Sequence, residues 1–158
     1  MVGKQLDAAM TDFVWNVLEM GLLLGEIRKT WADQLGVSEA QWLILMAIDD
    51  LGKGDGVSGV DVATKLRTHA TFIAMQTKNL EKAGLLSRKS SPTDGRLVLM
   101  SLTAKARAEI QKLSDKREIL NGTIFANVDA RTLATLNASL AAIRKNSERA
   151  LKQLAVDT

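Results

Sequence analysis

Residues 80–106 read LEKAGLLSRKSSPTDGRLVLMSLTAKA, and this stretch decides the fold. On either side of a turn sequence the residues alternate with a period of two and are rich in Leu and Val, which is typical of β-strands. The turn, residues 91–95, contains the Pro, Asp and Gly that favour chain reversal. The stretch therefore predicts a β-hairpin, with strands over residues 85–90 and 96–102 and an exposed basic rim.

Two short helices are predicted immediately before the hairpin. Ser58 fits the N-cap of the first helix, with Asp61 three residues later in the capping-box position. The helical pattern breaks at residues 67–69, and a second helix follows over residues 70–83 and ends at a glycine. Two short helices joined by a tight turn and followed by a hairpin indicate a winged helix-turn-helix over residues 38–102.

Apolar residues at helical spacing mark the N-terminal part of the chain. Residues 11–31 carry a stripe at spacings of three and four, and residues 22–24 are three consecutive leucines, so more than one face of this helix is apolar. Such a helix needs a cover beyond its own lobe, and a partner subunit is one such cover. The next helix begins at Ser38, which forms a capping box with Gln41.

The C-terminal part of the chain is predicted to form two long helices. Thr103 caps the first, which carries Ile110, Leu113, Leu120 and Ile124 along one side. The second begins near Asp129 and carries a heptad seam, typical of a helix that pairs with another helix. The seam consists of Leu133, Leu136, Leu140, Ile143, Ser147, Ala150 and Leu154.

Composition excludes several classes of protein. Among 158 residues there are no Cys and one His, so thiol chemistry, Cys-rich zinc sites and most His-centred catalysis are ruled out. The longest apolar run, residues 42–48, is too short to cross a bilayer, and the N-terminus lacks a signal-peptide pattern. We therefore expect a cytoplasmic protein that needs no cofactor or metal.

The distribution of charge indicates a polyanionic partner. The net charge is −5 over residues 1–52, +7 over 53–117 and +1 over 118–158. A basic middle segment is typical of a surface that faces nucleic acid, although basic faces also serve solubility alone. The glycines of residues 52–59 lack the spacing of a nucleotide-binding loop and predict a flexible connector.

The hairpin stretch resembles the multiple antibiotic resistance regulator (MarR) family of bacterial transcription factors. The wing of that family reads D-x-R, then a short strand ending in L-T, then a long helix; Asp94, Arg96, Leu102 and Thr103 match this frame. The chain departs from the family at Met75, where an Arg is frequent, and at the centre of its D-x-R motif, where a charged residue is frequent and this chain has Gly.

The resemblance implies a mainly α fold over residues 1–158 with a small β-hairpin wing. It also implies a helical dimerisation region formed by the N- and C-terminal helices, residues 7–31 and 103–156. In the family, a pocket between the dimer helices and the DNA-binding lobe often holds aromatic acids that weaken DNA binding.

The second helix of the motif and the wing are predicted to contact DNA. Amides and hydroxyls on the outward face of the helix can read bases while lysines hold phosphates, or the lysines form only a solvated face. We predict that Arg96 enters a narrow minor groove and that Asp94 holds it in position; the alternative is that Asp94 only closes the turn and that Arg96 is loose in solvent. Arg88 and Lys89 are predicted to hold phosphates. The predicted contacts are Thr68, Thr71, Met75, Gln76, Lys78, Lys82, Arg88, Lys89, Asp94 and Arg96.

His69, at the start of the second helix, could contact a phosphate or line a cavity, and a surface or capping role is an equal alternative.

Three tryptophans invite a ligand interpretation, although core or dimer packing is their commoner role. Arg28 on the first helix would meet an anionic ligand in the pocket that the resemblance implies. The predicted lining consists of Trp15, Met20, Leu24, Arg28, Trp42 and Met46.

The sequence thus predicts a homodimeric regulator that binds double-stranded DNA and represses transcription until a small aromatic carboxylate releases it. Alternatives are a DNA-binding regulator without an effector and a helical protein-interaction module. No paired carboxylates, nucleophile with its base or cofactor loop favours an enzyme.

Overall fold

A computed structural model of the chain describes residues 2–52, 56–92 and 94–155. These residues form seven helices and three short strands, which confirms the predicted mainly α fold with a small hairpin. In chain order the elements are α1 (Val2–Leu35), α2 (Glu39–Leu51), β1 (Val57–Ser58), α3 (Gly59–Leu66), α4 (Ala70–Lys82), β2 (Leu86–Ser90), β3 (Val98–Leu102), α5 (Ala104–Lys112), α6 (Ser114–Ile124) and α7 (Ala130–Leu154). The chain divides into two compact units, one up to Ser114 and the other from Asp115 onward.

The predicted helix starts are confirmed by their caps. At α2 the hydroxyl of Ser38 accepts a hydrogen bond from the backbone N–H of Gln41, and the Gln41 side chain accepts one from the N–H of Ser38. Ser58 and Thr103 cap α3 and α5 in the same way with their hydroxyls. Each cap satisfies an N–H that the first turn of a helix leaves unpaired.

The sheet has three antiparallel strands in the order β1-β3-β2. The predicted connector over residues 52–59 is wrong in its last part, because Val57 and Ser58 pair with Met100 and Leu99, and Gly59 already begins α3. Two residues are too short to show the alternation that reveals a strand. Residues 53–55 of that connector lie outside the described part of the chain.

The core of the first unit lies between the sheet and helices α2, α3 and α4. Its fully buried side chains include Ile44, Leu45, Val62, Ile73 and Leu80. Helix α1 joins this core only near its C-terminal end, where Ala32 is buried and Trp31 and Leu35 pack against the cluster. The core therefore fixes how the helix-turn-helix and the hairpin sit within one lobe.

The helix after the wing is interrupted, contrary to the prediction. Helix α5 ends at Lys112, Leu113 is its C-cap, and α6 begins at Ser114. The N–H of Leu113 donates to the carbonyl of Ile110, three residues back, which is a tighter turn than an α-helix makes. Apolar spacing continues across the break, so the sequence pattern did not reveal it.

Two helices expose much of their apolar surface. On α1 the exposed residues include Leu6, Met10, Phe13, Val14, Trp15, Val17, Leu18, Met20, Leu22, Leu23 and Leu24. On α7, in the second unit, no described residue is buried, and Leu136, Leu140, Ile143, Leu151 and Leu154 are exposed. Neither these helices nor any other in the described ranges is both long and apolar enough to span a membrane.

Candidate nucleic-acid interface

The turn between α3 and α4 is set by backbone geometry. Arg67 adopts the left-handed conformation with φ 52°, and the N–H of Thr68 donates to the carbonyl of Ala63 at 3.0 Å. His69 is the N-cap of α4, but its side chain makes no cap hydrogen bond; its carbonyl accepts from Phe72. This turn connects α3 to α4, and Thr68, which is half-buried, lies within it.

Helix α4 has a buried face and an exposed face. Ile73, Thr77 and Leu80 are buried, at positions that share one side of the helix. The outward residues named from the sequence are all exposed, and Met75 in particular is 53% exposed. These residues are Thr71, Met75, Lys78 and Lys82. The lobe therefore presents this face of α4 to solvent, with two lysines, one hydroxyl group and one thioether.

Gln76 lies at the edge of that face and is held by Gln41, a contact that the sequence did not predict. The side-chain amide of Gln41 donates to the side-chain carbonyl of Gln76 at 3.1 Å. Gln41 also completes the capping box of α2, so one side chain links the start of α2 to the middle of α4. The capping motif identified Gln41, but no local pattern places two residues 35 positions apart in contact.

The wing turn is closed by its own hydrogen bonds. The N–H of Ser91 donates to the carbonyl of Leu97 at 2.8 Å, and the N–H of Leu97 donates to the carbonyl of Asp94 at 2.9 Å. The carboxylate of Asp94 accepts from the backbone N–H of Arg96 at 3.0 Å. Apart from its chain neighbours, no described residue has an atom within 4 Å of the place where a Cβ of Gly95 would lie.

Asp94 therefore holds the backbone of Arg96 and not its guanidinium, which corrects the way the two residues were expected to interact. The Arg96 side chain is exposed and forms no ion pair with a described residue. The turn presents an unpaired cation at the tip of the hairpin.

Arg88 and Lys89, both predicted phosphate contacts, lie on opposite faces of the sheet, as neighbouring residues of a strand do. Arg88 lies opposite buried Met100, and its guanidinium is 3.7 Å from the carboxylate of Glu81 on α4. The Nε of Arg88 is buried and has no hydrogen-bond partner among the described residues. Lys89 lies opposite Leu99, on the other face of the sheet. The two cations therefore serve different surfaces.

The predicted ligand-binding residues divide between surface and core. Trp15, Met20 and Leu24 are exposed on α1, whereas Trp42 is 4% exposed and belongs to the core, and Met46 packs against that core.

Arg28 lies 3.6 Å from the carboxylate of Glu39, and its Nε is buried without a described partner. Residues four apart share a face of a helix, so Met20, Leu24 and Arg28 lie on one side of α1, while Trp15 lies about 140° around the helix from Met20.

The described ranges contain no group of three or more His, Asp or Glu residues able to hold a metal ion.

Comparison with known proteins agrees with this geometry. A MarR family profile matches residues 35–97, from the start of the lobe to the wing turn. YdgJ of Bacillus subtilis (strain 168), an uncharacterized HTH-type transcriptional regulator, is 29% identical over 111 residues, or 70% of this chain. The match spans 66% of that relative, slightly less than two thirds of its length.

Solved structures share the fold. CouR from Rhodococcus jostii RHA1, bound to p-coumaroyl-CoA, superposes with a TM-score of 0.72 at 18% identity and covers 84% of this chain and 91% of its own. The MepR–DNA complex of S. aureus gives a TM-score of 0.68 at 14% identity, covering 85% of this chain and 95% of MepR. The lobe is thus similar in sequence to the MarR family profile, and the chain shares the winged helix-turn-helix fold of these solved structures.

Proposed function

We propose that this protein is a DNA-binding transcriptional repressor. The observation that carries the proposal is that the outward face of α4 and the unpaired Arg96 of the wing turn are both exposed on the one lobe that the family profile matches. YdgJ is named as a transcriptional regulator, and MepR has been solved with DNA, which supports the same role. The net charge of +7 over residues 53–117 favours a polyanion.

Each exposed group has a defined use on a duplex. Helix α4 enters the major groove, where Thr71 and Met75 meet base edges and the methyl group of thymine suits an apolar contact with Met75. Lys78 and Lys82 hold phosphates. Arg96 enters the minor groove, since a guanidinium is less strongly hydrated than an ammonium and suits a narrow groove of high negative potential.

The regulator acts as a homodimer. Each unit carries a long helix with an uncovered apolar surface, α1 in the first and α7 in the second. Contiguous apolar surface of this extent is typical of protein interfaces. Two lobes related by a twofold axis bind two half-sites about 10 bp apart or at a multiple of that spacing.

A small aromatic carboxylate releases the dimer from DNA. Arg28 supplies the cation on α1, with Met20 and Leu24 on the same side of the helix. The p-coumaroyl-CoA bound by CouR supports an aromatic effector for a chain of this fold. A ligand shifts DNA affinity only as far as it prefers one conformation, so a coupling of about 2 kcal/mol weakens operator binding roughly thirtyfold.

Fluorescence anisotropy with a labelled duplex from the region upstream of the gene tests DNA binding. We expect strong salt dependence and a loss of affinity of about tenfold or more in Arg96→Ala. Arg96→Lys should restore little of it, while Arg144→Ala, which removes one exposed arginine from α7, is the matched control. Equal affinities for Arg96→Ala and Arg144→Ala would remove the minor-groove assignment, and absence of binding at low salt would favour a protein-interaction module.

Tryptophan fluorescence titration with a panel of benzoates tests the effector. Saturable quenching should weaken when the duplex is present, because linkage makes the two binding events mutually unfavourable. Quenching that the duplex leaves unchanged describes a binder without a switch. No quenching by any benzoate would favour a regulator without an effector.

A further inference from the structure

A cavity of about 410 Å³ lies on the outer face of the three-stranded sheet, inside the first unit. It is bordered by the C-terminal end of α2, by β2 and β3 and by α5. Its size falls within the range of pockets that hold small ligands, on the order of 300–1,000 Å³. None of the residues predicted to bind an effector from α1 and α2 lines it.

Strand register explains which side chains reach this cavity. Ser87 lies opposite Ser101, and Lys89 lies opposite Leu99, so these four side chains share one face of the sheet. All four line the cavity. Arg88 lies on the opposite face of the sheet, next to Glu81 of α4.

Gly56 brings the chain unusually close to this face. It adopts a φ of +97°, and a Cβ at this position would lie 3.1 Å from the Cβ of Leu99 and 3.1 Å from the hydroxyl oxygen of Ser101. Only glycine tolerates both the conformation and the close approach. Gly56 thus borders the cavity with backbone alone.

The lining favours an anion. Lys89 from β2 and Arg107 from α5 both border the cavity, and neither forms an ion pair with any residue that the structure describes. The lining also includes the hydroxyls of Ser87 and Ser101, and Asp49 is the one acidic side chain among the lining residues that the structure describes. Two unpaired cations beside hydroxyl groups suit a carboxylate or a phosphate, and Leu99 offers an apolar surface next to them.

We infer that this outer-sheet cavity binds a small organic oxyanion, with Arg107 and Lys89 holding the carboxylate or phosphate group. The site is separate from the Arg28 side of α1. It also adjoins the wing, because Ser90 and Pro92 line the cavity and lead directly into the turn that carries Arg96. An occupant therefore changes DNA affinity through the wing, a step that rests on the proposed function.

Isothermal titration calorimetry on the free protein tests the site without DNA. The probes are phenyl phosphate and benzoate, with benzyl alcohol as a neutral analogue, in a buffer without phosphate. We expect saturable binding of at least one anion and none of benzyl alcohol. The anion that binds distinguishes a phosphate from a carboxylate ligand.

Variants on one helix locate the binding. Arg107→Gln should weaken anion binding by about tenfold, because it removes a charged donor that hydrogen-bonds to the anion. Lys112→Gln, on the same helix but outside the cavity, should change it by less than about twofold, as exposed charges do. Ser101→Ala, on the sheet side of the cavity, should weaken anion binding to a smaller extent. Arg107, Lys112 and Ser101 are all polar, so thermal melting should confirm that each of the three variants folds.

The outcomes separate the two proposals. Wild-type protein that binds the duplex but neither anion overturns this site and leaves the proposed function intact. Equal anion affinity in wild type and Arg107→Gln also overturns it. Protein that binds the anion through Arg107 but binds no duplex supports the site and contradicts the proposed function. Where both bind, anisotropy with and without the anion should show a shift in duplex affinity that Arg107→Gln abolishes.

Discussion

Helices α2 and α7 both carry many apolar residues, as a continuous run over residues 42–48 in α2 and at spacings of three and four in α7, yet their surroundings differ. Helix α2 buries five side chains within thirteen residues, whereas α7 buries none of its twenty-five, all of which the structure describes. Spacing shows which face of a helix is apolar, but it does not show what covers that face. Helix α2 is covered within its own lobe, whereas no residue of α7 is buried, and we propose that a partner subunit covers α7.

The largest loss of stability should come from a substitution in α2. Ile44→Ala removes a fully buried side chain of α2, and we expect it to lower the free energy of unfolding by about 2–5 kcal/mol. Leu151→Ala on α7 removes a side chain that is 59% exposed and should cost less than about 0.5 kcal/mol. Chemical denaturation at one protein concentration measures both. Equal losses would show that α7 is as well covered as α2.

The next effect tests what covers α7. Leu140→Glu places a charge on the heptad seam, and we expect the dimer to dissociate because an unpaired charge would be buried at the interface. Ala141→Glu, one residue along and off the seam, is the matched control and should leave the dimer intact. Sedimentation velocity at micromolar concentration distinguishes them. A wild-type chain that is already monomeric contradicts the dimer, and so does equal behaviour of the two variants.

A smaller effect separates stability from DNA binding within the lobe. Ser38→Ala and Gln41→Ala each remove part of the α2 cap, and each should cost about 1 kcal/mol of unfolding free energy. Only Gln41→Ala also removes the hydrogen bond to Gln76 on α4. We therefore expect a loss of duplex affinity in Gln41→Ala and none in Ser38→Ala. Equal affinity of the two variants would show that this bond does not position α4.

The smallest effect concerns the start of α7, where local interactions must substitute for burial. Hydrogen bonds from the backbone and side chain of Thr132 hold the pKa of Asp129 below its ordinary value of 3.8. The cap therefore contributes fully above that value and is lost as pH falls through the lowered pKa. Circular dichroism should show a small loss of helicity there. Asp129→Asn, which keeps a capping group that does not titrate, should lack this loss; the same loss in both would assign it elsewhere.

Local features of the lobe could be read from the sequence. Ser38, Ser58 and Thr103 were each identified as caps, and each accepts the expected backbone hydrogen bond. A cap depends on three or four consecutive residues, so its geometry is contained in a short window of sequence. The hairpin was found for the same reason, because its turn residues are contiguous.

Features that depend on distant contacts could not be read in this way. Strand β1 exists only because β3 pairs with it, the Gln41–Gln76 bond joins two helices, and the break at Leu113 interrupts a pattern that remains apolar on both sides. The separation of Arg88 from Lys89 could have been predicted, since it follows from strand alternation alone. The outer-sheet cavity could not, because it requires the position of Gly56 over β3.

The closure of the wing turn has a consequence for how wings of this kind can diversify. Its hydrogen bonds use Ser91, Asp94 and the main chain, and none of them uses a side chain at position 95 or 96. Position 95 also lies outside the left-handed region, and a Cβ there has no described atom within 4 Å apart from its chain neighbours, so a lysine fits there without strain in the backbone. Mutation can therefore change the number of cations at the wing tip with little cost to folding, and selection on operator affinity can act there independently of selection on stability.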